Sequence, residues 1–153
     1  MVETIMSGGQ TGVDRAALDV ARELYLPCGG WCPRGRRAED GALPAHYPLR
    51  ETPSPDYAQR TEWNVRDSDG TLVLTAGPPT EGTAYTVEIA RRLGKPVLIV
   101  DLNEEPSAQV VLTWVTQQGI RRLNVAGPRE SKAPGIYRRA QTFLRRLLAQ
   151  PAT

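Results

Sequence analysis

Short apolar runs alternate with amphipathic segments along the whole chain. The apolar runs predict buried strands over residues 2–6, 70–77, 95–102 and 120–127. Apolar positions at helical spacing predict helices over residues 12–25, 55–69, 83–94, 106–119 and 134–150. Strands without a polar face, alternating with helices, are typical of a parallel sheet that is covered on both sides. The pattern therefore predicts a single Rossmann-like α/β domain over residues 1–153, with three α/β/α layers and a mainly parallel sheet.

Residues 27–48 interrupt this alternation with glycine, proline and charged positions. We predict a long loop with one short strand near residues 29–31, followed by another short strand at residues 49–52. Loops of this length in compact domains are usually functional or mobile. The loop therefore belongs among the candidate parts of a site.

Composition excludes several classes of protein. The formal net charge of the 153 residues is only +2, which argues against nucleic acid as the main partner. No apolar run is long enough to span a membrane, and no signal peptide is recognisable, so we expect a cytoplasmic protein. Cys28, Cys32 and the single histidine, His46, are too few for a disulfide framework or a zinc site. We expect reduced thiols and no structural metal.

The loop after the first strand is a candidate anion site. Its glycines allow a ligand to approach the backbone, yet their spacing matches neither the dinucleotide fingerprint nor the Walker motif. Thr11 and Asp14 are spaced as a capping box at the start of the next helix. A tight capped turn is the alternative, and Arg15 is either a ligand contact or a solvated neighbour. The candidate residues of this loop are Gly8, Gly9, Gln10, Thr11, Gly12 and Arg15.

Two further loops follow predicted strands, and both offer groups that bind anions. One brings Gly82 and Thr83 to the start of a helix, where backbone N–H groups are free. The other contains Arg129, Glu130 and Ser131. Each could instead be an ordinary surface turn. Because the carboxyl ends of parallel strands share one edge of the sheet, we expect the three loops to converge there.

Two arginine-containing segments could complete the pocket. Arg34 belongs to the run "RGRR" in the long loop, and Arg60 shares a helix face with Asn64. Solvated or salt-bridged exterior faces are the alternatives. No nucleophile, base and orienting group can be assembled, so we predict no catalytic residue and no metal ligand. Glu130 is the one carboxylate that stands beside proposed anion donors.

Five ordered blocks carry a resemblance to a known family. They are "SGGQTGVDRAALDVA", "GGWCPRGRRAEDG", "RTEWNVRDSDGTLVL", "EGTAYTVEIARRLGKP" and "LNVAGPRESKAPGIY". Together they resemble the molybdenum carrier family, within the Rossmann-like LOG or lysine decarboxylase-like superfamily. The resemblance implies a homo-oligomer, a dimer or tetramer, that binds the phosphorylated molybdenum cofactor and passes it to molybdoenzymes. Other members of this group bind nucleotides.

One position departs from the enzymes of that superfamily. Their motif is P-G-G-x-G-T-x-x-E, and here Gly82 and Thr83 match its glycine–threonine pair, while Thr86 stands where the catalytic glutamate is expected. The resemblance therefore favours a carrier of an anionic small molecule that performs no catalysis. Two alternatives remain open. One is a sensor that binds a nucleotide, ADP-ribose or an NAD derivative, and the other is a LOG-like phosphoribohydrolase that uses Arg60.

Overall fold

Residues 1–149, which the computed structural model describes, form strands and helices close to those that the sequence predicts. The strands are β1 Thr4–Met6, β2 Cys28–Gly29, β3 Trp31–Cys32, β4 Arg37–Ala38, β5 Gly41–Ala42, β6 Arg50–Glu51, β7 Gly70–Thr75, β8 Val97–Asp101 and β9 Arg122–Ala126. The α-helices are α1 Val13–Glu23, α2 Tyr57–Arg66, α3 Glu81–Arg92, α4 Ala108–Gln118 and α5 Ile136–Leu148. The predicted end of the last helix, residue 150, lies outside the described residues.

The central sheet has five parallel strands in the order β2-β1-β9-β7-β8. This confirms the predicted Rossmann-like α/β fold. If the strands are counted from β7 and the count continues through the N-terminus, the order becomes 2-1-3-4-5. That is the flavodoxin-like doubly wound order, whose topological switch point falls between its first and third strands. In this chain, the switch point lies between β7 and β9.

The two faces of the sheet differ in chemistry. Helices α1, α4 and α5 cover one face with a large apolar core, to which β7 and β9 contribute Leu72, Leu74, Leu123 and Val125. On the opposite face, α2 and α3 share only a small apolar cluster. There the sheet presents buried polar side chains, which include Thr71, Thr75 and Asn124. The sheet is covered on both faces, as predicted, but its strands are not wholly apolar, because buried polar side chains face α2 and α3.

Helix ends largely follow the glycines that the sequence offers. Gly119 ends α4 in the left-handed conformation, with φ of 64°, and Gly94 follows α3 with φ of 68°. Helix α3 begins at Glu81, two residues before its predicted start. Glu81 has φ of 50°, which is uncommon for a residue with a side chain.

The long loop is more ordered than predicted. It contains four short strands rather than one, and β3 pairs with β6 while β4 and β5 form a hairpin. Its apolar side chains form a second small core against α1, with Leu43, Tyr47 and Leu49 buried. Cys28 and Cys32 are both free thiols.

Candidate functional site

A cleft of about 390 Å³ opens at the carboxyl ends of β7 and β9. This is the switch point of the sheet, where ligands of doubly wound folds bind. Its walls come from the loops after β1, β7 and β9 and from one face of α2. The lining residues that the site needs are Gln10, Asp14, Arg60, Gly82, Thr83, Thr86, Arg129 and Lys132. Three loops that the sequence places at one sheet edge thus converge on one cleft.

The N-terminus of α3 provides open backbone donors. The residue before the helix, Thr80, makes no side-chain capping hydrogen bond. Among residues 1–149, the backbone N–H groups of Glu81 and Gly82 have no hydrogen-bond partner. The space over Gly82 is empty to 4 Å from the position of a Cβ atom. A free helix N-terminus attracts anions through these N–H groups and the helix dipole.

Thr83 and Thr86 lie just inside the same helix and are buried. The Thr86 hydroxyl donates to the carbonyl of Gly82 at 3.0 Å. The hydroxyl proton is therefore engaged within the first turn of α3. Thr86 is also part of the cleft wall, at the position where the resemblance would place a catalytic carboxylate.

A buried ion pair forms the floor of the cleft. Arg60 on α2 donates from Nη1 to Oδ2 of Asp14 on α1 at 2.9 Å. The side chains are 14% and 4% exposed, respectively. Arg60 crosses directly over Gly8, where an added Cβ atom would lie 2.0 Å from Nη1. Gly8 therefore allows the guanidinium to reach Asp14, which is a role different from a direct ligand contact.

The electrostatics of this pair are dominated by burial. Burial raises the pKa of Asp14 above its ordinary value of 3.8, although the charge and hydrogen bond of Arg60 act in the opposite direction. The Nε atom of Arg60 is buried and has no hydrogen-bond partner within the described chain. Arg60 thus has unused hydrogen-bonding capacity close to the cleft.

The loop after β1 does not cap helix α1 in the way that the sequence predicts. Helix α1 has Gly12 as its N-cap, with no side-chain cap, so the predicted Thr11–Asp14 capping box is wrong. The Thr11 hydroxyl instead accepts from the backbone N–H of Glu130 at 3.1 Å. Asp14 accepts from the N–H of Gln10 at 3.3 Å. The long-range contact with the last loop takes the place of a local cap.

Glycine is required twice more in this loop. Gly9 and Gly12 have φ of 78° and 79°. A Cβ atom on Gly12 would lie 2.3 Å from the carbonyl oxygen of Pro128, so the first and last loops touch at this point. Several N–H groups of the loop bond to the protein itself, including that of Val13 with Pro128 at 3.3 Å. The first loop therefore shapes the cleft more than it offers free donors to it.

The three predicted residues of the last loop, Arg129, Glu130 and Ser131, make different kinds of contact. Arg129 lines the cleft beside Lys132, and the Nζ atom of Lys132 lies 3.4 Å from Oε1 of Glu81. Glu130 caps α5, since its carboxylate accepts from the N–H groups of Gly135 at 2.6 Å and Tyr137 at 2.9 Å. Ser131 donates to a carboxylate of the β4–β5 hairpin and does not line the cleft.

Nine of the fourteen predicted site residues do not line the main cleft, namely Gly8, Gly9, Thr11, Gly12, Glu130 and Ser131 of the first and last loops, and Arg15, Arg34 and Asn64. Arg15 pairs with Asp40 at 2.7 Å and binds the carbonyl of Gly9. Arg34 is exposed on the long loop. Asn64 is buried, and its amide both accepts from the N–H of Trp31 at 2.8 Å and donates to the carbonyl of Trp31 at 2.9 Å. These contacts give Asn64 a structural task in holding β3 to α2.

Sequence reasoning missed the role of Asp14 in the floor. Asp14 shares a helix face with Ala17 and Ala21, which belong to the apolar core. A buried carboxylate on the apolar face of a helix is costly unless it is paired with a cation. The position of Asp14 on this face could therefore have predicted that it has a positively charged partner. Nothing in the spacing identifies Arg60, 46 positions away, as its partner.

A second, wider groove of about 840 Å³ runs between α1 and α5. It extends from the loops after β1 and β9, where Thr11 and Glu130 line it, along the outside of the helices to Arg138. The smaller cleft is the better candidate site because it combines the switch point with open backbone donors and buried charge. In residues 1–149 no helix is long and apolar enough to cross a membrane, and no group of three potential metal ligands occurs.

Fold and site together define a doubly wound α/β protein with a cleft at its topological switch point, where backbone donors and charged side chains form the walls. Residues 5–148 match the circularly permutated YpsA SLOG family, and the chain belongs to this family. The strand order, which becomes regular when counted from β7, agrees with the permutation that the family name describes.

A solved structure is also closely similar. It is that of the Putative molybdenum carrier protein from Syntrophus aciditrophicus SB, with 45% sequence identity and a TM-score of 0.94. The match covers 96% of this chain and 95% of that one. The predicted family resemblance is thereby confirmed. No curated protein matches the chain.

Proposed function

We propose that this protein is a carrier that holds the molybdenum cofactor, or a related phosphorylated or molybdate-type ligand, in the cleft. The arrangement of donors around the cleft carries the proposal. The uncapped N-terminus of α3 lies across from Arg129 and Lys132, so backbone donors and two cations surround one space. Such a set binds a phosphate through charge-assisted hydrogen bonds. The name of the solved relative as a molybdenum carrier supports the same ligand.

The size of the cleft supports a ligand with one phosphorylated heterocycle. A volume of about 390 Å³ lies near the lower end of the range of small-molecule sites. A dinucleotide such as NAD, or ADP-ribose, needs more space than a phosphorylated pterin. Calorimetric titration with AMP, ADP-ribose and NAD separates a nucleotide sensor from the carrier.

Binding without catalysis is the second part of the proposal. Thr86 occupies the expected position of the catalytic glutamate, and its hydroxyl bonds to the carbonyl of Gly82. A hydroxyl whose proton is engaged within its own helix does not replace a carboxylate in acid–base chemistry.

A transfer assay tests the proposal directly. The purified chain is incubated with molybdenum cofactor and then with an apo-molybdoenzyme, and recovered enzyme activity reports binding and delivery. We expect Arg129→Ala to weaken binding by about 1.5–3 kcal/mol, the value of a charge-assisted hydrogen bond. Arg34→Ala, which removes an exposed arginine outside the cleft, is the matched control. A wild-type chain that neither binds nor delivers the cofactor refutes the proposal. Sedimentation of the same sample tests the expected homo-oligomer.

A second candidate function is hydrolysis of a nucleoside monophosphate. The observation in its favour is Asp14, a carboxylate with a raised pKa in the floor of the cleft. If the chain is such an enzyme, a panel of nucleoside monophosphates will release free base, and Asp14→Asn will abolish the release. No free base from any member of the panel excludes this function.

A further inference from the structure

Glu39, at the tip of the β4–β5 hairpin, has a carboxylate that is surrounded by donors from distant parts of the chain. The hydroxyls of Thr11 and Ser131 both donate to it. The backbone N–H of Ser131 donates to Oε1 at 3.1 Å, and Nε of Arg129 lies 3.6 Å from Oε2. We call the group formed by Thr11, Arg129 and Ser131 the donor nest.

The donor nest belongs to the site region rather than to the hairpin. Thr11 comes from the loop after β1, and Arg129 and Ser131 come from the loop after β9. Arg129 also lines the cleft, so the donor nest and the cleft share one side chain. Although partial burial acts to raise the pKa of Glu39, the hydrogen bonds from Ser131 and Thr11 hold it below its ordinary value of 4.5. The donor nest therefore stabilises a negative charge.

The β4–β5 hairpin, which carries Glu39, is small enough to move away from the first and last loops. Its two strands have two residues each, and both glutamate and hairpin lie at the surface. Besides the carboxylate, the N–H of Glu39 donates to Oε1 of Gln10 at 2.8 Å, and Asp40 pairs with Arg15. The Asp40 carboxylate is 52% exposed, so solvent weakens its pair with Arg15. A tetrahedral dianion brings more charge and more acceptor atoms to the same donors than one carboxylate does.

We propose that the donor nest is a second oxyanion subsite beside the cleft, and that Glu39 occupies it as an internal substitute for a ligand. A tetrahedral dianion, a phosphate group or molybdate, displaces the Glu39 carboxylate and binds Thr11, Arg129 and Ser131. The hairpin is then released from the first and last loops. This inference rests on the proposed function, since it adds a subsite to the same cleft.

Substitution of Glu39 tests the subsite. Glu39→Gln keeps the shape of the side chain and removes its charge. The full chain is titrated with inorganic phosphate, and in a separate arm with molybdate, while NMR follows the backbone amide resonance of Ser131. We expect this resonance to respond at about tenfold lower anion concentration in Glu39→Gln than in the wild type, as one lost charge-assisted competitor predicts. The arm with the larger gain identifies the preferred anion.

Asp40→Asn is the matched control. It loosens the same hairpin by removing the partner of Arg15, but it leaves the donor nest filled. If Asp40→Asn gives the same gain as Glu39→Gln, hairpin mobility is the cause and the proposal is overturned. Equal anion affinity of Glu39→Gln and the wild type overturns it as well. In the double variant Glu39→Gln with Arg129→Ala, the gain must disappear.

The two proposals fail in different ways. A wild-type chain that delivers molybdenum cofactor, together with a Glu39→Gln chain that shows no gain, removes the second subsite and leaves the carrier function intact. A gain in Glu39→Gln without any cofactor binding by the wild type leaves an anion subsite without the proposed ligand.

Discussion

The buried pair of Arg60 and Asp14 gives the sharpest prediction because its two halves respond differently to pH. Both residues line the cleft, but the Arg60 side chain is 14% exposed and that of Asp14 only 4%, so water reaches Arg60 more readily. Removal of one partner of a buried ion pair costs about 3–5 kcal/mol when the other charge stays buried. We expect Arg60→Met to reach this range at pH 8, since it leaves the Asp14 carboxylate without its cation. Asp14→Asn should cost less, because water in the cleft can solvate Arg60.

The sign of the pH dependence follows from the direction of the shift. Burial already raises the pKa of Asp14, and loss of Arg60 raises it further. A raised folded-state pKa means that stability is present at low pH and is lost as the pH rises through that pKa. The destabilisation by Arg60→Met should therefore be smaller at pH 5 than at pH 8.

Urea unfolding at several pH values between 5 and 8 measures these differences. Asp14→Asn removes the titrating carboxylate, so the pH dependence that Asp14 contributes to stability should be absent in this variant. Asp40→Asn, which breaks an exposed pair with Arg15, should cost about 0–1 kcal/mol. If the destabilisation by Arg60→Met does not change with pH, burial does not raise the pKa of Asp14 as argued, and the prediction is refuted.

Three further predictions concern single positions. Gly12→Ala should lower the free energy of unfolding, measured in urea, by about 2–4 kcal/mol, because the added Cβ atom would lie 2.3 Å from the Pro128 carbonyl oxygen. Gly77→Ala is the control: Gly77 has φ of 89° and open space around its Cβ position, so this variant measures only the ~1–2 kcal/mol of backbone strain. Equal costs for the two variants would contradict the clash. The difference in melting temperature between wild type and Glu39→Gln should be present above about pH 4.5 and vanish as the pH falls below it, because the folded pKa of Glu39 is lowered. Asn64→Ala should lower the free energy of unfolding by about 1–3 kcal/mol, because the backbone N–H and carbonyl of Trp31 lose their partner. If folded Asn64→Ala protein binds the ligand with a changed affinity, Asn64 does contribute to the site.

The sheet and helices were largely predictable because their signal is local. Apolar runs identify β7, β8 and β9, and Gly119 marks the end of α4. The polar side of the sheet was not predictable in the same way. Thr71 and Asn124 belong to strands whose sequence pattern is mostly apolar. Their polar atoms are satisfied by a hydrogen bond of 3.3 Å between the two neighbouring strands, from the Asn124 amide to the Thr71 hydroxyl. That pairing depends on the strand order, which single-sequence patterns do not contain.

The site was predictable at the level of loops and less so at the level of side chains. Strand ends of a parallel sheet meet at one edge, so the convergence of the three loops follows from the fold class. Which side chain does what depends on contacts across long sequence distances. Thr11 illustrates this: its local context predicts a helix cap, but its hydroxyl contacts Glu130, 119 positions later. Glu39 was not a candidate because its partners come from both ends of the described chain.

The position of β9 has a consequence for how this protein is made. Strand β9 is the last strand among residues 1–149 but the middle strand of the sheet, between β1 and β7. Until residues 122–126 leave the ribosome, the β1–β2 pair and the β7–β8 pair have no strand in common. The cleft between β7 and β9, with Arg129 and Lys132 on its wall, is equally absent from a growing chain. Ligand binding in this cleft must therefore wait until residues 122–132 have left the ribosome.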